Sequence, residues 1–116
     1  MKQPCVFCEI VKAPEHPQIV KRGANVTAIY KPYESKNVNL LAVANEHVVN
    51  YKHATSENRA LIAAETVEMA CELLPDVDWS MKTNNGAQAS QTVFHLHTHI
   101  YSTAHWPKDI KPPPFK

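Results

Sequence analysis

The 116-residue sequence lacks several features that mark whole classes of protein. Its formal net charge is only +1, so it has no charge excess that would suit a nucleic-acid duplex or an acidic membrane surface. No apolar run approaches the roughly 18 residues that a membrane-spanning helix needs. Residues Met1 to Cys5 include no apolar stretch resembling a signal peptide, and we therefore expect a cytoplasmic protein. No repeat or low-complexity segment is visible, and the length predicts one domain over residues 1–116.

Cysteine is scarce: the sequence has three, of which Cys5 and Cys8 form a Cys-x-x-Cys pair. In a reducing compartment this spacing favours metal binding or redox chemistry over a structural disulfide. A redox role would require a β-α-β context, which the residues around the pair do not suggest. A tetrahedral zinc ion would need two further ligands, for which His47 and His95 are candidates. The third cysteine, Cys71, lies on an apolar helical stripe and is expected in the core.

Hydrophobic patterns divide the chain into five strands and one long helix. Apolar residues recur at helical spacing over residues 56–74, between the capping pair Thr55–Ser56 and the helix-ending Pro75. A short helical turn is expected at residues 5–12, and the tail, residues 102–116, is expected to be extended. Because hairpin-like connections dominate, we predict an α+β fold with a mainly antiparallel sheet. The strands are expected at residues 19–21, 26–30, 38–44, 79–83 and 92–101.

The most informative stretch is His95–His99, which reads His-Leu-His-Thr-His inside the predicted fifth strand. Alternate residues of a strand point to one face, so the three histidines would share a face at intervals of roughly 7 Å. Phe94, Leu96 and Ile100 would line the opposite face and pack on the core. A merely solvated face is disfavoured, because imidazole is the side chain most ready to change charge near neutral pH. Two interpretations remain open: a metal shared by alternate histidines, or a nucleophilic or acid-base histidine with helpers.

A turn rich in hydrogen-bond donors precedes the histidines and favours the second interpretation. Gly86, one of only two glycines, is expected to take a positive φ in Asn-Asn-Gly. Backbone N–H groups and donor side chains in such a loop can surround a phosphate. A histidine beside a phosphate suggests phosphoryl or nucleotidyl transfer. The donor side chains are those of Asn84, Asn85, Ser90, Gln91 and Thr92.

Taken together, these motifs resemble the histidine triad (HIT) family of nucleotide hydrolases and transferases. The central motif is His-x-His-x-His followed by two apolar residues, and the similarity extends over nearly the whole chain. Four further segments resemble the family's approach to the triad, the opening of its zinc-bearing bacterial members, the segment ending in a zinc-ligand histidine, and the tail of the Hint branch of purine-nucleoside phosphoramidases. These segments are Asn84–His95, Cys5–Ile10, Val43–His47 and His105–Pro107.

The resemblance implies a five-stranded antiparallel sheet with a long helix, and a homodimer in which two sheets become continuous. It implies that His97 attacks the α-phosphorus to give a nucleotidyl-histidine, while His99 contacts the phosphate. It further implies a zinc ion, with the ligands Cys5, Cys8, His47 and His95. Substrate contacts are implied for Asn84, Gln91, Thr92, His99 and Trp106.

Two residues depart from the family pattern. Lys31 stands where members commonly have an acidic residue that binds the ribose hydroxyls, and Asn39 stands where they commonly have histidine. A lysine cannot accept hydrogen bonds from hydroxyl groups, so nucleoside recognition is expected to differ. We expect a hydrolase that cleaves nucleoside phosphoramidates or related phosphoanhydrides through His97. The alternatives are a nucleotide-binding or regulatory protein with weak or altered catalysis, and a structural zinc protein, which would need His97 or His99 as ligands.

Overall fold

The fold is that of a computed structural model, which describes residues 5–31 and 36–110. It confirms the predicted α+β class, with an antiparallel five-stranded sheet in the order β1-β2-β3-β5-β4. The helices are α1 (Val6–Lys12) and α2 (Ser56–Leu73). The strands are β1 (Ile19–Arg22), β2 (Val26–Tyr30), β3 (Asn37–Ala44), β4 (Ser80–Thr83) and β5 (His97–His105). Neither helix of these ranges combines the length and apolarity required to cross a membrane.

The sheet has two faces that serve different purposes. Leu40 of β3 lies opposite Ile100 of β5, and both are fully buried on the side covered by α2, which we call the α2 face. Leu41 lies opposite His99 on the other side, which we call the site face. Phe7 of α1 packs over part of the site face. The period-two alternation of strands therefore separates the main hydrophobic core from the histidines.

Helix α2 begins at the predicted residue and ends one residue before the predicted end, but its buried stripe differs from the prediction. Cys71, expected in the core, is exposed, so that prediction is wrong. The core position on the helix is taken partly by the buried Thr66, whose hydroxyl donates to the carbonyl oxygen of Ile62 at 2.7 Å and is thereby satisfied. The residues buried on α2 are Ile62, Thr66, Met69 and Ala70. Five of the six residues of the predicted apolar face form an exposed strip instead, the α2 strip: Ala60, Leu61, Ala64, Val67 and Cys71. The sixth, Leu74, is buried in the core at the C-cap of the helix.

Glu65 of α2 fastens the β1–β2 turn to the helix. Its Oε1 accepts hydrogen bonds from the backbone N–H groups of Asn25 at 2.6 Å and Val26 at 2.7 Å. Burial alone would raise the pKa of Glu65, but these hydrogen bonds outweigh it and the pKa lies below its ordinary value. Gly23 leaves room for the carboxylate, because a Cβ there would overlap the flexible ends of the Glu65 and Met69 side chains. The helix is thus docked on the hairpin by a polar clasp as well as by apolar contacts.

Strand β5 differs from its prediction at both ends. It begins at His97 rather than at residue 92, and the preceding residues form a bend. Phe94, expected in the core, is 49% exposed, whereas Leu96 and Ile100 are buried as predicted. The strand continues to His105, so the first part of the tail is extended as expected. A turn at 107–110 then interrupts the predicted extended tail, and residues 111–116 lie outside the described ranges.

Candidate active site and metal centre

The three histidines occupy two environments rather than one strand face. His95 lies in the bend before β5 and is fully buried, while His97 and His99 are partly buried on β5. Leu96 fixes this bend, because its N–H donates to the carbonyl of Val48 at 2.6 Å and its carbonyl accepts from the N–H of Ala44 at 3.0 Å. The prediction that all three lie in one continuous strand is therefore wrong, although Phe7 contacts the rings of both His95 and His97.

The structure gathers the four residues predicted as metal ligands. Their ligand atoms all lie within 4.8 Å of one another, although the residues come from three distant parts of the chain. The Sγ of Cys8 lies 3.1 Å from the Nδ1 of His47, which in turn lies 3.2 Å from the Nδ1 of His95. We call this set the metal cluster: Cys5, Cys8, His47 and His95. His97 and His99 are not part of it.

The geometry of the metal cluster fits a tetrahedral ion. Ligand bonds of about 2.0 Å to nitrogen and 2.3 Å to sulfur place neighbouring ligand atoms roughly 3.3–3.8 Å apart. The Sγ-to-Nδ1 separations from His95 are 3.3 Å to Cys5 and 3.5 Å to Cys8. Burial and the neighbouring Cys5 raise the pKa of Cys8, so the Cys8 thiol alone is not disposed to ionise. A bound cation would reverse this tendency, and the four residues could hold one.

His95 is fixed in the tautomer that a metal ligand requires. Its Nε2 lies 2.7 Å from the carbonyl oxygen of Ala44, which can only accept, so Nε2 carries the proton and Nδ1 is free to bind. Burial lowers the pKa of His95, which keeps the ring neutral. The edge of Phe7 packs against the ring, with centroids 5.8 Å apart. His95 is therefore oriented by groups outside the metal cluster.

Two interactions hold helix α1 and its cysteines in place. The Sγ of Cys5 caps the helix by accepting a hydrogen bond from the N–H of Cys8 at 3.4 Å. At the other end, Arg22 of β1 donates to the carbonyl oxygen of Val11 at 2.7 Å and to that of Ala13. These carbonyls belong to the end of the helix, where no intrahelical partner exists. Arg22 thereby ties the metal cluster to the edge of the sheet.

His97 presents on the site face one ring nitrogen that no described residue engages in a hydrogen bond. Its Nδ1 donates to the backbone carbonyl of His95 at 2.7 Å, because a carbonyl oxygen cannot donate. The proton is thus on Nδ1, and the lone pair is on Nε2. The ring packs against Phe7 at a centroid distance of 5.0 Å and against His99 at 5.3 Å. Position, tautomer and packing together make Nε2 a candidate nucleophile.

His99 lies beside a cationic pocket. Burial, followed by the charges of His97, Lys31 and Lys82, lowers the pKa of His99 to about 4, so the ring is neutral at pH 7. Lys82 of β4 is opposite His99 in the register, which brings both side chains to the site face. The pocket has a volume of about 500 Å³. We call it the lysine pocket, and its lining includes Lys31, Asn39, Lys82, Asn84, His99 and Tyr101.

The donor-rich loop is held by Gln91, which is buried. Its Nε2 donates to the carbonyl oxygens of Val49 at 2.6 Å and Val93 at 3.0 Å. Its Oε1 accepts from Gly86 N–H at 2.8 Å and from Asn50 Nδ2 at 3.0 Å. Both the Oε1 and the Nε2 atoms of Gln91 are therefore engaged in hydrogen bonds within the protein. These bonds fix the shape of the loop.

The other predicted substrate contacts are divided in space. Asn84 lines the lysine pocket and donates from Nδ2 to the carbonyl of Ala89 across the loop. Thr92 is exposed just after the loop. Gly86 has φ = 105°, as expected, and Ser90 also takes a positive φ, of 69°. Within one chain, Trp106 is not brought to the histidines: it packs edge-on against Tyr30, at 5.6 Å between centroids, in the cluster on the α2 face.

Sequence reasoning missed the contribution of β4. The sequence places Lys82 within the predicted fourth strand but does not link it to the histidines. A register that placed it opposite His99 would have identified it, because residues opposite each other on neighbouring strands point to the same face. Sequence reasoning also missed Arg22, because its partners are backbone carbonyls, which every residue has and which no sequence pattern identifies.

The chain matches the family model described as "Scavenger mRNA decapping enzyme C-term binding" over residues 4–111. It is 28% identical over 99 residues to an uncharacterized HIT-like protein of Mycoplasma pneumoniae, which covers 83% of this chain and 69% of that protein. Among solved structures, it superposes on a HIT family hydrolase from Clostridium thermocellum with a TM-score of 0.75 and 30% identity, covering 95% of this chain and 100% of that one.

Other similar solved structures include two further histidine triad proteins. A hypothetical histidine triad nucleotide-binding protein from Sulfolobus tokodaii has a TM-score of 0.75 and 26% identity, with 97% of this chain and 79% of that one covered. A zinc-bound histidine triad family protein from Mycobacterium smegmatis has a TM-score of 0.68 and 25% identity, with 94% and 79% covered. The similarity thus extends over nearly all of the chain in sequence and in fold.

Proposed function

Because the chain belongs to the histidine triad (HIT) family, we propose that it hydrolyses nucleotides at the α-phosphorus, cleaving nucleoside phosphoramidates or related phosphoanhydrides. The observation that carries the proposal is the hydrogen bond from His97 Nδ1 to the His95 carbonyl, which leaves the Nε2 lone pair on the site face. The Clostridium relative described as a hydrolase supports hydrolysis, and the Sulfolobus relative described as nucleotide-binding supports the substrate class.

The proposed reaction has two displacements at phosphorus. First, Nε2 of His97 bonds to the α-phosphorus while the bond to the leaving group breaks, and the leaving group takes the electron pair and a proton from solvent water. Water then attacks the nucleotidyl-histidine and releases a proton to solvent, the P–N bond breaks, and the imidazole recovers its lone pair. Neutral His99 would donate a hydrogen bond to a phosphate oxygen. Asn84 and Thr92 would supply further donors, and Gln91 would hold their loop in the required shape.

We also propose that the metal cluster binds zinc in a structural role. When bound, zinc would supply a positive charge that keeps the Cys5 and Cys8 thiols deprotonated. The two cysteines, two histidines and their separations support this ion, as does the zinc-bound relative from Mycobacterium smegmatis. His95 would link the two parts of the site, since its ring belongs to the metal cluster and its carbonyl orients His97.

Hydrolysis of adenosine 5′-phosphoramidate tests the enzymatic proposal. The wild type is expected to release AMP and ammonia, and His97→Ala to lose about a thousandfold or more in kcat/KM while its circular dichroism is unchanged. His105→Ala, which alters an exposed histidine at the far end of β5, is the matched control and should retain turnover. Mass spectrometry of the rapidly quenched wild type should detect the added nucleotidyl group. Turnover of the His97→Ala variant at the wild-type rate would refute the proposal.

A second candidate function is supported by the lysine pocket. Lys31 and Asn39 beside His99 would suit a nucleotide-binding or regulatory protein with weak or altered catalysis. In that case calorimetry would detect nucleotide binding, but the wild type would hydrolyse the phosphoramidate no faster than His97→Ala. Efficient turnover by the wild type would exclude this candidate.

A cytoplasmic location and a homodimer remain predictions of the sequence. The homodimer is supported by the α2 strip, where Leu61 is 45% and Val67 43% exposed, and by β4, which has no neighbouring strand on one side within residues 5–31 and 36–110. In such a dimer Trp106 would serve the partner's site. Sedimentation analysis tests the state, and Val67→Glu is expected to favour the monomer. A monomeric wild type would contradict the prediction.

A further inference from the structure

The lysine pocket lies directly beyond the position proposed for the reacting phosphate. His99 lines it at one side, and β4 contributes Lys82 at the next strand position across the sheet. Lys31, which follows β2, lines it from the side of β3. Adjacent strands lie about 4.8 Å apart, so a ligand held at His99 would extend into this pocket without leaving the sheet face.

The charge of the pocket has one sign. Lys31 and Lys82 are near enough to His99 for both to depress the pKa of its ring. Among the described residues that line the pocket there is no carboxylate, and the remaining polar side chains are neutral amides and hydroxyls. Two ammonium groups in one concave space favour an anion over a neutral sugar, and lysine is a common ligand of phosphate.

A second, independent feature is an acceptor without a donor. Asn39 lines the same pocket, and its Oδ1 is buried with no hydrogen-bond partner in the described part of the protein. A buried acceptor left without a donor is costly, so a ligand that supplies one gains affinity. A fully ionised polyphosphate chain has no hydrogen to donate. A hydroxyl group next to a phosphate offers both the donor that Asn39 needs and the anion that the lysines need.

We propose that the lysine pocket binds a phosphorylated ribose, so that the substrates are nucleotides with a second phosphate on the sugar beside a free hydroxyl. Lys31 and Lys82 bind the second phosphate, and Asn39 Oδ1 accepts the hydrogen of the neighbouring hydroxyl. This inference rests on the proposed function in one respect, which is that the reacting phosphate lies against His97 and His99. It deepens that function by naming the substrate class.

Calorimetric binding to the zinc-loaded protein tests the inference without requiring turnover. Adenosine 3′,5′-bisphosphate is expected to bind about tenfold more tightly than AMP at roughly 0.1 M salt. Its 2′-deoxy analogue should bind about threefold more weakly than the ribonucleotide, because it lacks the hydroxyl for Asn39. Lys31→Met and Lys82→Met should each lower the bisphosphate preference about threefold, and the double variant should abolish it. Lys52→Met, which removes an exposed lysine outside the pocket, should leave the preference unchanged.

Four results would overturn the inference: no binding of either adenosine ligand, equal affinity for AMP and the bisphosphate, a preference that survives the double lysine substitution, or an equal gain with ADP. An equal gain with ADP would show that the pocket binds a polyphosphate chain.

The test also separates the two proposals. A protein that prefers the bisphosphate but does not hydrolyse phosphoramidates would refute the proposed hydrolysis only. A protein that hydrolyses them without the preference would refute the pocket assignment only.

Discussion

The two ends of the His95–His99 stretch differ in how completely the protein uses their polar groups. At the metal cluster, His95 is fully buried, one ring nitrogen donates to the Ala44 carbonyl, and the other faces the remaining cluster atoms. At the lysine pocket, Lys82 is exposed and the Oδ1 of Asn39 has no donor among the described residues. Two ends of one short stretch thus have opposite characters.

This difference indicates that the metal cluster maintains the geometry of the site, whereas the lysine pocket is available to contact a ligand. Groups whose hydrogen bonds are all made within the chain fix a geometry, and a ligand cannot recruit them without breaking those bonds. Groups that are charged, exposed or short of a partner are available to a ligand. We expect substitutions in the metal cluster to affect stability first, and substitutions at the lysine pocket to affect ligand preference first.

Cys5→Ser is the strongest test of the structural role of the metal cluster. A serine at this position can still cap α1, because its hydroxyl also accepts from the N–H of Cys8, so the substitution removes metal ligation and spares the cap. We expect loss of bound zinc and a fall in Tm of about 10 °C or more, since binding of a structural metal contributes directly to folding free energy. Metal analysis and thermal unfolding measure the two effects.

The matched control is Cys71→Ser. Cys71 is exposed on α2 and lies outside the metal cluster, so zinc content and Tm should stay close to those of the wild type. Chelation of the wild type should reproduce the Cys5→Ser effect. An unchanged Tm in both the chelated wild type and the Cys5→Ser variant would contradict the structural role of the metal.

Arg22→Met tests the support behind the metal cluster and should have a smaller effect. The substitution leaves the carbonyls of Val11 and Ala13 without their charged donor, at a cost of about 1 kcal/mol and roughly 4–8 °C in Tm. Because α1 carries the cysteines, zinc affinity should fall several-fold in a chelator competition. The neighbouring Lys21→Met breaks only an exposed ion pair with Glu72 and should change either quantity little. Equal effects of the two substitutions would refute the role assigned to Arg22.

The sequence was sufficient where local pattern determines structure. Strand β2 has its predicted bounds, α2 is bracketed by Thr55 and Pro75 as expected, and Cys5 and Cys8 join His47 and His95 as expected. It was insufficient where a distant partner decides. The bend at His95 depends on the Leu96 bonds to Val48 and Ala44, and the β-branched residues before it read as a continuous strand.

The orientation of α2 was missed for a related reason. A threonine such as Thr66 counts as polar in a sequence, but its hydroxyl is satisfied by the helix's own backbone and it can be buried. By residue type alone, the face with the alanines and Cys71 is the more apolar one, but the sheet packs against the face that contains Thr66. Lys82 was missed because its importance depends on the β4–β5 register rather than on any residue near it in sequence.

The smallest expected effect is the pH dependence of stability that is contributed by His99, beside the lysine pocket. Its pKa is lowered to about 4 in the folded protein, first by burial and then by His97, Lys31 and Lys82, whereas an unfolded histidine has a pKa of about 6.5. Between these values the unfolded chain binds more protons, so stability is complete above pH 6.5 and is lost as the pH falls towards 4. His99→Gln removes this contribution, and its Tm should fall less than that of the wild type between pH 6.5 and pH 4. Because the His99 ring is only partly buried, solvent screening reduces the difference to roughly 2–3 °C. His105→Gln on the same strand is exposed and should follow the wild type. Parallel Tm curves for the wild type and His99→Gln would mean that the lysines do not act on His99, and would remove the electrostatic distinction between the two ends of the site.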